Sequence, residues 1–335
     1  LLTFLLIAYL SCYFGHFGMA VHFFKDHKYR LFLIPSSYFL LEWVKSWMIS
    51  GFPWLNLGII FESLWGLLPI VGVSGTSFVM LLIICAIFEK NIYVKTVVPI
   101  LFIGLLLFGP GHYQKISEEN SDLTVTVVQP ANLGLDGLIE LTNKADSNIV
   151  VWPEASAWYT GNAFGTNKRI IGGFFRREES KTFTAVIDAS NGEGYNKHNL
   201  VPFGEFQPFG DLLIGINSFF NIPNSRISRG AFVQDKLNWS GLVCWELVFN
   251  NTFIERAKGT EFIVHVSNDS WYGSSMPAQH LKHARARSVE SNKWVVRSTT
   301  DGLSQIISPQ NEQSSKLLNR KEYGSITHTI KTNTD

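Results

Sequence analysis

The sequence predicts an α-helical membrane bundle joined to a layered domain of strands and helices. Three observations carry this. Apolar residues are unevenly spread over the 335 positions: before about Tyr113 the chain is mostly Leu, Ile, Phe and Trp, and after Ser117 it is mixed and polar. The first part holds four long apolar stretches. The second part, from Leu123, holds short Val-, Ile- and Phe-rich runs separated by turns. The expected division is residues 1–116 for the membrane helices and 117–335 for the second domain, with "HYQKISEENSD" as the join. A net charge of +1 gives no bulk attraction for a nucleic-acid partner.

The apolar stretches are Leu1–Phe24, Leu31–Ile49, Leu67–Phe88 and Val97–Phe108. The last is short for about 30 Å of hydrocarbon unless it reaches back to Tyr93. The loops "KDHKYR" and "EKNIYVK" both carry Lys or Arg and fall on one side of the membrane, whereas "SGFPWLNLGIIFESLWG" between them has neither. The positive-inside rule makes the two basic loops cytoplasmic. The fourth span then runs outward, and everything after Tyr113 is expected outside the cytoplasm. Glu42 and Lys45, three apart, share a helix face and can pair, with Lys45 snorkelling outward. "GFPW", Gly51 to Trp54, reads as a turn with an interfacial aromatic. The opening on Leu1 inside an apolar run, with no initiator Met or signal peptide, reads as a piece of a longer protein. Of three cysteines, Cys12 and Cys85 sit in apolar runs, which argues against a disulfide framework.

In the second half "LTVTVV", "NIVVW", "KTFTAVI", "GLVC" and "EFIVHVS" read as strands, and Ala278–Asn292 as a helix. Such alternation favours an α/β or α+β sandwich. "IDASNGEGYN" is turn-forming. Glu154, after Pro153, is expected at the mouth of a strand that the proline ends; Lys197 lies in "YNKHNLVPFGE", and Cys244 closes "GLVC". Cys244 has two readings, a small buried hydrophobe or a nucleophile. A strand-end acid, amine and thiol are what covalent acyl chemistry requires: a base or cation to activate the thiol, and a donor for the oxyanion. His280 and His283 stand at metal-pair spacing but lack a third ligand of convincing spacing, so no metal site is assigned.

"VVWPEAS", "YNKHNLVPFGEF", "GLVCWE" and "SNDSWYGSSMPAQHLKHARARSVESNKWVVRSTTDGLS" together resemble the nitrilase, or carbon–nitrogen hydrolase, superfamily. More narrowly they resemble its membrane branch, the apolipoprotein N-acyltransferases, whose membrane part "EW…GFPW" also matches. The resemblance covers nearly the whole chain, with several separated motifs in the expected order. It implies an αββα sandwich on membrane helices and a triad carried onto Glu154, Lys197 and Cys244. It implies supporting active-site acids at Glu205 and Glu246, and places Trp245, Trp271 and Tyr272 as candidates for substrate contact.

The implied reaction is acyl transfer from a membrane phospholipid, through a Cys thioester, to the N-terminal amine of a diacylglyceryl-cysteine lipoprotein. It requires no metal or organic cofactor. The implied setting is the bacterial inner membrane, with the catalytic domain periplasmic. A membrane-tethered amidase and a non-catalytic lipoprotein-binding scaffold are the alternatives. The departures from the family pattern are Trp245 for Tyr, Lys45 for Arg, and "TTDG" at Thr299–Gly302 for "TN.G". Gln129–Ser147 and Ala185–Tyr195 are short for the family, and its earliest membrane helices and a final C-terminal helix have no counterpart.

Overall fold

A computed structural model of the chain describes residues 2–113, 121–161, 164–206, 227–310 and 313–332. It divides into two compact units, Leu1–Tyr113 and Gln114–Asp335. The join expected around residue 116 lies outside the described residues.

The first unit is built on four helices: α1 (Leu2–Phe24), α2 (Arg30–Lys45), α3 (Leu68–Ile87) and α4 (Ile92–Phe108). Among the described residues three helical segments are long and apolar enough to cross a membrane: Phe4–Phe24, Glu62–Ile87 and Ile92–His112. The second apolar stretch, expected to span from Leu31 to Ile49, is α-helical only to Lys45. α2 has 16 residues, or about 24 Å of helix, and short 3₁₀ turns follow from Met48. The fourth segment does reach back, starting at Ile92, where Asn91 Oδ1 accepts from the Tyr93 and Val94 amides as an N-cap. Leu67, Val79, Ile83 and Leu106 form a small buried core.

Glu42 on α2 is buried. Its Oε1 accepts from the Leu57 amide and from Ser77 Oγ, each at 3.1 Å, which ties α2 to α3. Arg30 and Glu89 form a two-pronged ion pair, Nε–Oε1 2.7 Å and Nη2–Oε2 2.9 Å. It joins the α1–α2 and α3–α4 connections, so the two basic loops stand at one end of this unit.

The second unit has two sheets. One runs β10-β1-β2-β3-β4-β5 and the other β6-β7-β8-β9. The strands of the first are β1 (Ser121–Gln129), β2 (Ile149–Trp158), β3 (Arg169–Glu178), β4 (Lys181–Asp188), β5 (Gly194–Asn196) and β10 (Gly324–Thr332). Those of the second are β6 (Trp239–Val243), β7 (Phe262–Ser267), β8 (Val295–Thr299) and β9 (Gln305–Ile307). β1, β2 and β3 are parallel, as are β6, β7 and β8; the outer strands pair antiparallel.

The sheets pack face to face, β2 against β7 and β8, and β4 against β6. At Gly241 of β6 a Cβ would stand 2.6 Å from Val186 Cβ of β4, so only glycine permits that approach. Helix α5 (Gly134–Lys144) covers the first sheet through Leu138 and Leu141, packed with Val128 and Trp152. Helices α6 (Asn250–Ala257) and α7 (Met276–Ser291) cover the second through Phe253, Leu281 and Ala284. The layer order is helix, sheet, sheet, helix, the expected αββα sandwich.

Local expectations fare unevenly. Helix α7 ends where Asn292 turns left-handed, φ 52°, one residue from the expected end. Part of the turn-forming "IDASNGEGYN" is the short edge strand β5. Pro153 does not end its strand. β2 runs on to Trp158 through a register shift between Trp152 and Ala157, and Glu154 lies inside that irregularity. Ser121, expected in the join, is the first residue of β1 and pairs with Thr332.

Candidate active site

The parallel strands of the two sheets end near one another, and the side chains picked from the sequence sit there. Open α/β sheets gather ligands at the carboxyl ends of their strands. Cys244 directly follows Val243, the last residue of β6, and Asn268 follows Ser267, the last residue of β7. Glu154 sits in the bulge of β2. Its backbone is closely backed by β3: a Cβ on Gly173 would come within 2.4 Å of Glu154 Cα.

Glu154 and Lys197 are buried, and Lys197 is only 1 % exposed. Lys197 Nζ donates to Glu154 Oε1 at 3.3 Å and to Glu205 Oε1 at 2.9 Å. Each carboxylate has a backbone donor on its other oxygen, the Asn268 amide on Glu154 Oε2 (2.9 Å) and the Val201 amide on Glu205 Oε2 (2.8 Å). One ammonium is thus shared by two carboxylates, each fixed by the main chain.

Cys244 is buried and adopts φ 54°. For a residue with a Cβ this left-handed conformation costs on the order of 1–3 kcal/mol, and it occurs where surroundings over-determine it. Burial pushes the Cys244 thiol well above its usual value, and the Glu154 charge adds to this, while Lys197 pulls it down. Burial likewise raises Glu154; Lys197 opposes the shift and Glu205 reinforces it. Burial alone would lower Lys197, but Glu205 and Glu154 outweigh it and hold the ammonium protonated. The resting site is therefore a neutral thiol beside a carboxylate of raised basicity and a permanent cation. A raised carboxylate is a better base near neutral pH, and a buried ammonium is a strong electrostatic partner for an oxyanion.

Glu246 has a different position from Glu154 and Glu205. Its Oε1 accepts from Tyr195 Oη (2.8 Å), the His198 amide (2.7 Å) and the Asn199 amide (2.8 Å), and its Oε2 from the Val243 amide (3.0 Å). With four donors it organises the segment after Lys197 against the turn that carries Cys244.

Among the three aromatic candidates, Trp245 is buried, donates from Nε1 to Asn199 O (3.3 Å) and packs edge-on to Phe249. It is part of the wall. Trp271 is 72 % exposed. Tyr272 is half-buried, and its hydroxyl is raised by burial and by the nearby Cys244, Asp269 and Glu154. His280 and His283 are buried, and His280 bonds Asp269 and Cys244 rather than pairing with His283 as a ligand set. Asn268, Tyr195, His265, Asp269 and Arg297 also line or brace this site, and the sequence motifs assign them no role. The available signal was a His and an Arg inside otherwise apolar strands.

The model of the apolipoprotein N-acyltransferase N-terminal domain matches residues 1–86, and that of carbon–nitrogen hydrolases matches residues 166–334. The second match contains Lys197, Glu205, Cys244 and Glu246; Glu154 lies ahead of it. An apolipoprotein N-acyltransferase of Photobacterium profundum is 31 % identical over 90 % of this chain and 68 % of its own length. One from Vibrio parahaemolyticus is 31 % identical over 90 % and 70 %. One from Pseudomonas aeruginosa is 32 % identical over 80 % and 62 %. Among solved structures, a glutamine-dependent NAD+ synthetase of Acinetobacter baumannii superposes with a TM-score of 0.46 at 16 % identity, over 63 % of this chain and 46 % of that one.

Proposed function

Because the chain belongs to the apolipoprotein N-acyltransferase family and carries a carbon–nitrogen hydrolase domain, we propose that it moves an acyl chain from a membrane phospholipid to the N-terminal amine of a diacylglyceryl-cysteine lipoprotein. The observation that carries the chemistry is the buried Lys197 shared by Glu154 and Glu205, beside a thiol on a left-handed strand end.

In the proposed sequence Glu154 takes the thiol proton as Cys244 Sγ attacks the ester carbonyl. The oxyanion forms against the Lys197 ammonium. Collapse breaks the ester C–O bond, and the lysophospholipid leaves with the proton returned by Glu154. The lipoprotein amine then attacks the thioester. Glu154 takes its proton, the C–S bond breaks, and the proton returns to Cys244. The thiol need not be ionised at rest, in keeping with its raised pKa. Glu205 keeps Lys197 aimed, and Glu246 braces the nucleophile's turn. Trp271 and Tyr272 are proposed as contacts for the lipid substrates. A lipid-covered site excludes water from the thioester, which favours transfer over hydrolysis.

The proposed setting is the bacterial inner membrane, with residues 1–116 as the membrane part and 117–335 as the catalytic domain on the outer side. The loop charges support that side, and the Arg30–Glu89 pair supports placing both basic loops at one face. The test supplies the purified protein with phospholipid and a diacylated lipopeptide. A triacylated peptide and a lysophospholipid should appear in equal amounts. Free fatty acid without triacylated peptide would indicate a hydrolase, and bound but unchanged lipopeptide a scaffold.

A further inference from the structure

Beneath the nucleophile lies a buried polar cluster that the proposed chemistry does not use. His265, Ser267, Asp269, His280 and Arg297 are each no more than 1 % exposed. His265 and Arg297 are register partners in the parallel pairing of β7 with β8, so the cluster is built into the second sheet. Arg297 Nη1 lies 2.8 Å from His265 Nδ1, and its Nη2 donates to Asp269 Oδ2 at 2.6 Å. Asp269 Oδ1 also takes Ser267 Oγ at 2.6 Å and faces His280 Nδ1 at 3.1 Å. Gly302 lets the chain close over this carboxylate, since a Cβ there would stand 2.6 Å from Asp269 Oδ2.

The proton positions follow from the partners. A guanidinium only donates. His265 Nδ1 must therefore accept from Arg297, and the ring proton sits on Nε2. That Nε2–H points at the carbonyl oxygen of Cys244, 2.9 Å away. His280 Nε2 approaches the same oxygen at 3.2 Å. Burial, with the positive charge of Arg297, holds His265 well below the usual imidazole range, which keeps the ring in this neutral tautomer. Burial pushes the Asp269 carboxyl up, but Arg297 and His280 outweigh it and keep the anion that anchors the cluster.

We propose that His265 is a positioning residue, oriented by Arg297 and Asp269, that pins the Cys244 carbonyl inward and so holds the nucleophile in its left-handed conformation. This rests on reading Cys244 as the acylated residue. A packing role would be served by any side chain of similar volume. The positioning role requires a donor where Nε2 stands, and a misplacement of about 1 Å at a reacting group costs on the order of 10²-fold in rate.

The experiment compares His265→Gln, whose amide can still donate at the Nε2 position, with His265→Leu, which fills space without donating. Each is incubated with phospholipid, and the acyl adduct on Cys244 is followed by mass spectrometry, per mole of folded protein judged by near-ultraviolet circular dichroism. His265→Leu should acylate roughly 10- to 100-fold more slowly than wild type, with His265→Gln recovering most of the loss. Equal rates for Leu and wild type would overturn the positioning role while leaving Cys244 as nucleophile. A wild type that acylates elsewhere would remove both. Should His265→Leu not fold, the histidine ring ¹⁵N–¹H correlation of the wild type decides. A proton on His265 Nε2 with Nδ1 bare is expected, and a proton on Nδ1 would overturn the proposal.

Discussion

Lys197→Met tests the centre of the site, because it keeps an unbranched side chain that reaches as far as the lysine's Cε and removes the ammonium. In the fold Lys197 is the shared partner of Glu154 and Glu205, at 3.3 and 2.9 Å, with its ammonium withdrawn from water. Removing one member of a buried ion pair typically costs about 3–5 kcal/mol, because the other charge is left uncompensated. For a unit of this size roughly 2–4 °C of melting temperature follows each kcal/mol, so a loss of about 6–20 °C is expected.

The loss should depend on pH, with a definite sign. Glu154 is already raised in the folded protein, mainly by burial, against the opposing charge of Lys197. Without Lys197 it rises further. A carboxyl raised on folding binds its proton more tightly in the folded state, so its contribution is present at low pH and lost as pH climbs from the unfolded carboxylate range through the raised folded value. The gap between Lys197→Met and wild type should therefore widen from pH 5 to pH 8. Acyl transfer should fall by about 10²–10³-fold or more from loss of the oxyanion partner. Differential scanning calorimetry at the two pH values, with a transfer assay on the same preparations, reads both effects. Wild-type melting and wild-type transfer at pH 8 would refute the shared-ammonium arrangement.

Glu154→Gln should fold and bind phospholipid yet transfer about 10²–10⁴-fold more slowly, measured as the single-turnover rate of acyl adduct formation; near-wild-type rates would make Glu154 structural. Glu246→Gln turns an amide group toward donors that now meet a carboxylate oxygen, so it should lose about 1–3 kcal/mol of stability in denaturant titration. No loss would mean that the four donors find other partners. For topology, in a Cys12→Ser, Cys85→Ser background, a membrane-impermeant maleimide on intact cells should label Ser180→Cys, at the exposed turn after β3, and should spare Lys28→Cys. The reverse pattern would put the catalytic unit in the cytoplasm.

Much of this architecture was legible because its signals are local. The apolar stretches became helices, and the β-branched runs became strands. α2 was overread because apolar composition continues past Lys45, while Ile49 and Ser50 take positive φ and break the helix. Pro153 looked like a terminator because a proline lacks a ladder donor. At a bulge that donor is not needed, and β2 continues. β10 was missed because it pairs with β1 across some two hundred residues, a partnership no sequence window contains. Within the candidate site, Glu154, Lys197 and Cys244 stand out in the sequence only through their motifs, since each alone is commonplace. Nothing in their spacing announces that one ammonium serves two carboxylates. His265 was passed over within an apolar strand run, and its role emerges only when the β7–β8 register sets it opposite Arg297.

Whether Cys244 carries the acyl chain is tested directly by intact-protein and peptide mass spectrometry. With phospholipid and no acceptor, the wild type should gain the mass of one acyl chain on the peptide containing "GLVCWE". Neutral hydroxylamine should remove it, as expected of a thioester, and a diacylated lipopeptide should discharge it. Cys244→Ser should charge far more slowly, since a hydroxyl is much harder to activate than a thiol at this site. An acyl chain on Lys197, or full transfer by Cys244→Ala, would contradict the covalent role of this cysteine.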